Sequence, residues 1–262
     1  MRKPDKPNFW PAFWPAFWPG FWRGRLPPQG ALSLVGVGLL ASLMSGGAAR
    51  AEKPAIHPVV VELFQSQGCS SCPPANLNLL GLVDRPDVLA LSFGVTYWDQ
   101  LGWKDTFASA KNTQRQCDYA RGLHHDNVGT PQMVINGRTD IVGIDSREVE
   151  RTIKAARLPD SAPNLTLSGG ALTIGDAQAP KTGADVWLVR YDPRIVQVAI
   201  KRGENGGRTL PHRNVVRELV RLWAWSGAHE SFALPAAGDP AWQSAILVQA
   251  VSGGPILAAL KP

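Results

Sequence analysis

Residues 58–82, PVVVELFQSQGCSSCPPANLNLLGL, constrain the fold of this chain more than any other stretch. Val59, Val60 and Val61, then Leu63 and Phe64, form an apolar run of strand length. The run breaks at Gly68 and presents Cys69-Ser70-Ser71-Cys72. Leu77, Leu79, Leu80 and Leu82 follow at helix-like density, and Pro73 suits a first helical turn, where a missing N–H costs nothing. The pattern predicts strand, loop, CxxC, helix. At a helix N-terminus the dipole and the free N–H groups favour a thiolate, so Cys69 is read as an acidic nucleophile. Cys72, one turn inside, is expected to be less exposed and less acidic.

Three cysteines are too few for a disulfide scaffold but enough for one pair and a single thiol. The compartment decides whether such a pair persists, and the N-terminus speaks to that. Residues 9–22 repeat FWPA, FWPA, FWPG and FW, with a proline every fourth residue that forbids a regular helix. The repeat reads either as a repeat expansion or a start codon placed too early, or as a membrane-interface or export accessory. Arg23 and Arg25, the apolar run Ala31–Met44 and Ala49-Arg50-Ala51 then form an export signal with a cleavage site before Glu52. Residues 1–51 hold six basic residues and one acidic, so the net charge of +6 belongs mostly to the leader. The mature chain carries no nucleic-acid footprint, and its expected membrane contact is through the signal segment alone.

Within the mature chain, Glu62 shares a strand face with Phe64. It reads either as a proton relay to Cys72 or as a solvated strand-edge carboxylate. Val88–Phe93 is a second apolar strand, completing a βαβ unit with a parallel pair. Tyr97, Trp98 and Trp103 follow at the sheet edge that carries the CxxC loop. They read as an apolar floor for a peptide or thiol substrate, or as rings that pin a loop by packing. Asp99, Lys104 and Asp105 would set charge near Cys69. Residues 106–123 predict a helix, polar on one face, in which Cys117 is a small buried hydrophobe or a resolving thiol. His124 and His125 lack the spacing of a closed zinc site with the cysteines, so no metal is expected. Pro131 opens a strand, Asn136-Gly137 is a hairpin turn, Thr139–Val142 is the partner strand, and residues 146–157 form a helix.

The order strand, CxxC, helix, strand, helix, Thr130-Pro131, strand, Asn-Gly, strand, helix resembles thioredoxin over residues 58–158. The resemblance implies a cis Pro131 opposite the cysteines, with the Thr130 backbone positioned to pair with substrate. VELFQSQGCSSCPPA, YWDQLGWKD, TPQMVINGR and GENGGR are similar to signatures of the DUF1223 family, secreted proteins with a thioredoxin-like domain and an additional C-terminal β domain. Gly94 and Thr96 stand where that pattern has a histidine and an aspartate, which leaves no histidine there to assist Cys69.

The expected fold is therefore α/β. Residues 1–51 are leader, residues 52–158 a thioredoxin-like domain, and residues 159–262 an all-β, antiparallel sandwich-like domain. The β signals are Leu165–Ile174, Val186–Tyr191, Ile195–Lys201 and Ala245–Val251. Residues 214–225 fit helical spacing too, and are read as strand from their β surroundings. Gly203–Arg208 is a glycine turn with a local ion pair, or a loop whose Glu204 and Arg208 dock a partner or face the active site. The leading functional reading is an exported, periplasmic or secreted thiol–disulfide oxidoreductase. Cys69 attacks, Cys72 resolves, Glu62 relays a proton, and Thr130 and Pro131 position a protein or small thiol/disulfide substrate. It needs no cofactor but requires a redox partner. The competing readings are a binding module with a static Cys69–Cys72 disulfide, and a periplasmic metal handler.

Overall fold

The structure is a computed structural model and describes residues 57–156, 158–159 and 161–261. The tryptophan–proline repeat, the export signal and its cleavage site lie outside the described residues. The first segment runs β1 (Val59–Gln65), α1 (Cys72–Leu80), β2 (Val88–Gly94), a short 3-10 turn (Asp99–Leu101), α2 (Ala110–Gly122), β3 (Gln132–Ile135), β4 (Thr139–Ile141) and α3 (Ser146–Ala155). The second runs β5 (Leu165–Ser168), β6 (Ala171–Ile174), β7 (Ala184–Asp192), β8 (Val196–Ala199), β9 (Thr209–His212), β10 (Val215–Trp225), β11 (Glu230–Ala233), β12 (Gln243–Ala250) and β13 (Ile256–Leu260).

Eight strands form one mixed sheet in the order β13-β12-β7-β10-β2-β1-β3-β4. β1 and β2 are parallel, as a βαβ unit requires, and β1, β3 and β4 pair antiparallel. The β3–β4 connection runs through residues 136–138, with Asn136 and Gly137 left-handed at φ 50° and 61° and Arg138 N donating to the Ile135 carbonyl at 3.0 Å. The segments that meet near residue 158 share this sheet, because β10 lies parallel beside β2. Outside it stand a three-stranded sheet, β11-β6-β5, and a two-stranded ribbon, β8-β9. The stretch read from sequence as one strand, Leu165–Ile174, is two, folded at Gly169-Gly170 with both φ positive.

Alternation along the central strands divides the core. Val61, Leu63, Val88 and Ala90 meet Ala75 and Leu79 of α1 and Val149 and Ile153 of α3. On the same sheet face, beyond the β2–β10 seam, Val186, Leu188 and Ile246 meet Leu165, Leu172 and Ile174 of the small sheet. The opposite face buries Val60, Phe64, Leu91 and Phe93 against Tyr119 of α2. The result is a mixed α/β architecture with few helices, and the described residues after 160 supply none. No helix among the described residues is long and apolar enough to cross a membrane.

One buried group sets an acid limit on this fold. His212 of β9 is 3% exposed, packs edge-on against Phe107, and its Nε2 has no hydrogen-bond partner among the described residues. Burial pushes its pKa down from 6.5 to about 4. The unfolded chain binds a proton as pH falls through 6.5, while the folded chain does not until about 4, so folding stability falls with pH across that window. The shift corresponds to about 3 kcal/mol at full extent. Denaturant titrations at pH 7 and pH 4.5 should show most of this loss in the wild type and a clearly smaller one in His212→Phe. Equal losses in both would place the acid sensitivity elsewhere.

Candidate functional site

The Val59–Gln65 strand ends in a loop that brings two sulfurs together in front of α1. Cys69 and Cys72 form a disulfide, with Cα atoms 5.5 Å apart. The helix starts at Cys72, with Ser71 at its N-cap, and Pro73 and Pro74 fill the next two positions. Those prolines have no N–H, so this N-terminus offers fewer free donors to a thiolate than an ordinary one. The Cys72 N–H is itself used, donating to the Cys69 carbonyl at 3.2 Å.

Across from the disulfide, the Thr130–Pro131 peptide is cis. The Thr130 carbonyl oxygen lies 3.7 Å from Cys69 Sγ. Ser71 Oγ approaches the same sulfur at 3.3 Å. The structure brings Thr130 beside Cys69 Sγ, and it buries both cysteines. Cys69 is 0% and Cys72 2% exposed, so the expected order of a more accessible first cysteine is not found. Ser70 and Ser71 are the exposed members of the motif.

The 203–208 loop, at the tip of the β8–β9 ribbon, is hydrogen-bonded to the cysteine loop. Glu204 Oε2 accepts from Ser70 N at 3.0 Å and from Ser70 Oγ at 2.6 Å. These bonds hold the Glu204 carboxyl below its ordinary pKa. Asn205 is fully buried and its Nδ2 donates to the carbonyls of Gln67, at 2.9 Å, and Cys69, at 2.8 Å. Arg208 donates to Asn205 Oδ1 at 2.8 Å and so fixes the amide's orientation. Of the two readings of this loop, the one facing the cysteines describes Glu204; Arg208 acts one step back. Asn205 carried no sequence signal of its own, because an asparagine between glycines reads as turn chemistry.

The aromatic residues brace the same loops. Trp98 Nε1 donates to Thr130 Oγ1 at 2.8 Å, and Trp103 Nε1 donates to Gln67 Oε1 at 2.9 Å. Tyr97 OH donates to Gln116 Oε1 at 3.1 Å, and burial pushes its pKa up to about 12. All three rings are half-buried. Gln116 also donates to the Gly129 carbonyl and to Gln132, so one α2 side chain pins the chain on both sides of Thr130. Asp105 accepts from Gln67 N and Phe107 N, both at 2.7 Å, and burial raises its pKa. A shallow cleft of about 500 Å³ lies on the outer flank of Pro131, lined by His125, Gln132, Asp140 and Val142. Cys117 is a free thiol of intermediate exposure. Among the described residues no three His, Cys, Asp or Glu side chains converge as metal ligands.

Glu62 is placed elsewhere, and neither sequence reading describes it. It projects from β1 with Val60 and Phe64 toward α2, while α1 and Cys72 lie on the opposite sheet face. It is fully buried rather than solvated. Its two oxygens accept from Arg115 Nε at 2.6 Å and Nη2 at 2.7 Å, and Tyr119 OH donates at 2.9 Å. Burial alone would lower the Arg115 pKa, but Glu62 and Tyr119 beside it outweigh that and leave it above its ordinary value. A carboxylate committed to a bidentate ion pair behind the sheet has no path to Cys72. Removing one partner of a buried pair costs roughly 3–5 kcal/mol. Glu62→Gln should therefore lose stability on that scale in denaturant titration, while the Cys72 thiol pKa of the reduced protein stays put. A Cys72 pKa displaced by a full unit at unchanged stability would restore the relay.

Residues 60–249 match the family model described as Protein of unknown function (DUF1223). The chain is also similar to a protein from Agrobacterium tumefaciens with a crystal structure, at 33% identity and a TM-score of 0.65, covering 80% of this chain and 95% of that one. A second solved structure, HBP35 of Porphyromonas gingivalis, aligns at 14% identity and a TM-score of 0.49, covering 79% of this chain and 74% of that one. None of the curated proteins matches. The matched span runs from β1 into β12 and takes in the cysteine loop, the Thr130–Pro131 turn and the 203–208 loop together, so the chain belongs to the DUF1223 family.

Proposed function

We propose that this protein is an exported thiol–disulfide oxidoreductase whose first segment is thioredoxin-like. The carrying observation is the Cys69–Cys72 disulfide at the start of α1, with Cys69 Sγ 3.7 Å from the Thr130 carbonyl. In the reduced form, the Cys69 thiolate attacks one sulfur of a substrate disulfide. That S–S bond breaks, one substrate thiolate leaves, and a mixed disulfide forms on Cys69. Cys72, as thiolate, then attacks Cys69 Sγ, releasing the second substrate thiolate and restoring the internal disulfide. Two electrons pass to the substrate, and a thiol redox partner must return them. The proposed substrate surface is the half-buried group Tyr97, Trp98 and Trp103 beside the Thr130 turn, suited to a protein or small thiol/disulfide. The proposed location is the periplasm or the exterior, where a disulfide persists.

The surroundings favour a reducing role. A strongly oxidising pair needs its reduced thiolate stabilised. Here two prolines thin the N–H donors, a carbonyl oxygen faces Cys69 Sγ, and the Glu204 carboxylate sits on the adjacent Ser70. Each disfavours a thiolate relative to the disulfide.

The second reading, a binding module with a static disulfide, draws on one observation: both sulfurs are buried. The two readings part on trapping. Cys72→Ser, incubated with an oxidised peptide, should accumulate a mixed disulfide on Cys69 detectable by mass spectrometry, and Cys69→Ser should not. No adduct on a folded Cys72→Ser protein would favour the static disulfide.

A further inference from the structure

We propose that residues 203–208 are a gate over the Cys69–Cys72 disulfide, closed by Glu204 and Asn205, whose release admits an attacking thiol. The inference rests on the exchange reading of the disulfide and adds its regulation.

Attack on a disulfide requires a thiolate to reach one sulfur along the S–S axis. With Cys69 at 0% exposure there is no such approach. The 203–208 loop is tied to the cysteine loop by four bonds: two from Ser70 to Glu204 and two from Asn205 to the carbonyls of Gln67 and Cys69. Glu204 is exposed and Asn205 buried, so the loop grips with one residue inside and one outside.

The loop is also built to move separately from the sheet. It is the tip of the two-stranded β8–β9 ribbon, which stands outside the eight-stranded sheet. Gly203 and Gly207 flank it at φ 76° and 84°. A Cβ at Gly207 would meet nothing within 4 Å, so that glycine answers to backbone conformation and not to crowding. At Gly203 an added Cβ would come within 3.3 Å of the Trp103 side chain, so a larger residue there would crowd the loop as it now lies. The base of the ribbon stays anchored, because Asn76 of α1 donates to the Pro211 carbonyl at 2.7 Å. Opening the tip breaks four side-chain bonds and no main-sheet pairing.

The gate predicts a kinetic signature. Reduction by dithiothreitol begins when its thiolate attacks Cys69 Sγ, breaking the Sγ–Sγ bond and expelling the Cys72 thiolate. The second thiol of the reagent then closes its own ring, freeing Cys69, and both protein thiolates take protons from solvent. The rate is scaled by the open fraction of the gate, so weakening the closed state raises it by about two- to tenfold for each tie removed. The same factor applies to reoxidation, because opening precedes both directions.

The test uses the mature chain as wild type, Glu204→Ala and Asn205→Ala, with stopped-flow rates of reduction by dithiothreitol and of reoxidation by its cyclic disulfide. Glu204→Ala alters an exposed residue and remains decisive if Asn205→Ala fails to fold. The expected result is a rise in both rates with their ratio unchanged within twofold. A wild type that exchanges as fast as Glu204→Ala overturns the gate and leaves the oxidoreductase reading standing. A disulfide that neither protein exchanges until denaturant unfolds it overturns both.

Discussion

The structure depends on a seam made by Asn214. Its backbone oxygen accepts from Ser92 N at 2.9 Å and its side-chain Nδ2 donates to the Ala90 carbonyl at 2.8 Å. Those two bonds, with the Val215–Ser92 pair, close an edge of β2 that would otherwise present unpaired groups within a fully buried strand. Asn214 sits at φ 51°, a conformation asparagine tolerates better than most residues. Through this seam β10, β7, β12 and β13 continue the sheet. The seam also fixes where the β8–β9 ribbon ends, at His212 two residues before Asn214, and hence where the 203–208 loop arrives. A loop hydrogen-bonded to the cysteine segment is thus a consequence of how the second segment joins the first.

Two features that ordinarily tune a CxxC pair are weak or absent here. The helix N-terminus is depleted of donors by Pro73 and Pro74, and the buried carboxylate of β1 is spent on Arg115 behind the sheet. What the surroundings control instead is access and loop geometry. Asn205, Gln116 and Asp105 hold the backbone of the two facing loops from three directions, through Gln67 and Cys69, Gly129, and Gln67 again. On this account reactivity is set by when Cys69 is uncovered more than by how acidic it is.

Much of this was legible in the sequence where the signal is local. The strand before Gly68, the helix after Cys72 and the Asn136-Gly137 turn depend on neighbours along the chain, and the structure has them all. Strand β10 was ambiguous for a physical reason. Irregularities between Val216 and Glu218 and between Arg221 and Trp223 break its alternation, so its apolar residues fall at helix-like spacing. Helix α2 misleads in another way, because its buried face carries Asn112, Arg115 and Gln116. Alternation correctly paired Glu62 with Phe64, but which helix covers that face is a tertiary fact. The β2–β10 seam joins residues more than a hundred positions apart, and no local pattern marks it.

The claim that most needs testing is that the Cys69–Cys72 disulfide is an exchanging pair and not a structural staple. Its reduction potential, measured by equilibration of the folded chain with a dithiol redox buffer, addresses this directly. Exchanging pairs lie between about −120 and −270 mV, and structural disulfides below about −300 mV. With thin thiolate stabilisation at Cys69, the value expected here is between about −200 and −270 mV. A potential below about −300 mV would contradict the account and identify the disulfide as a fixed brace of the loop.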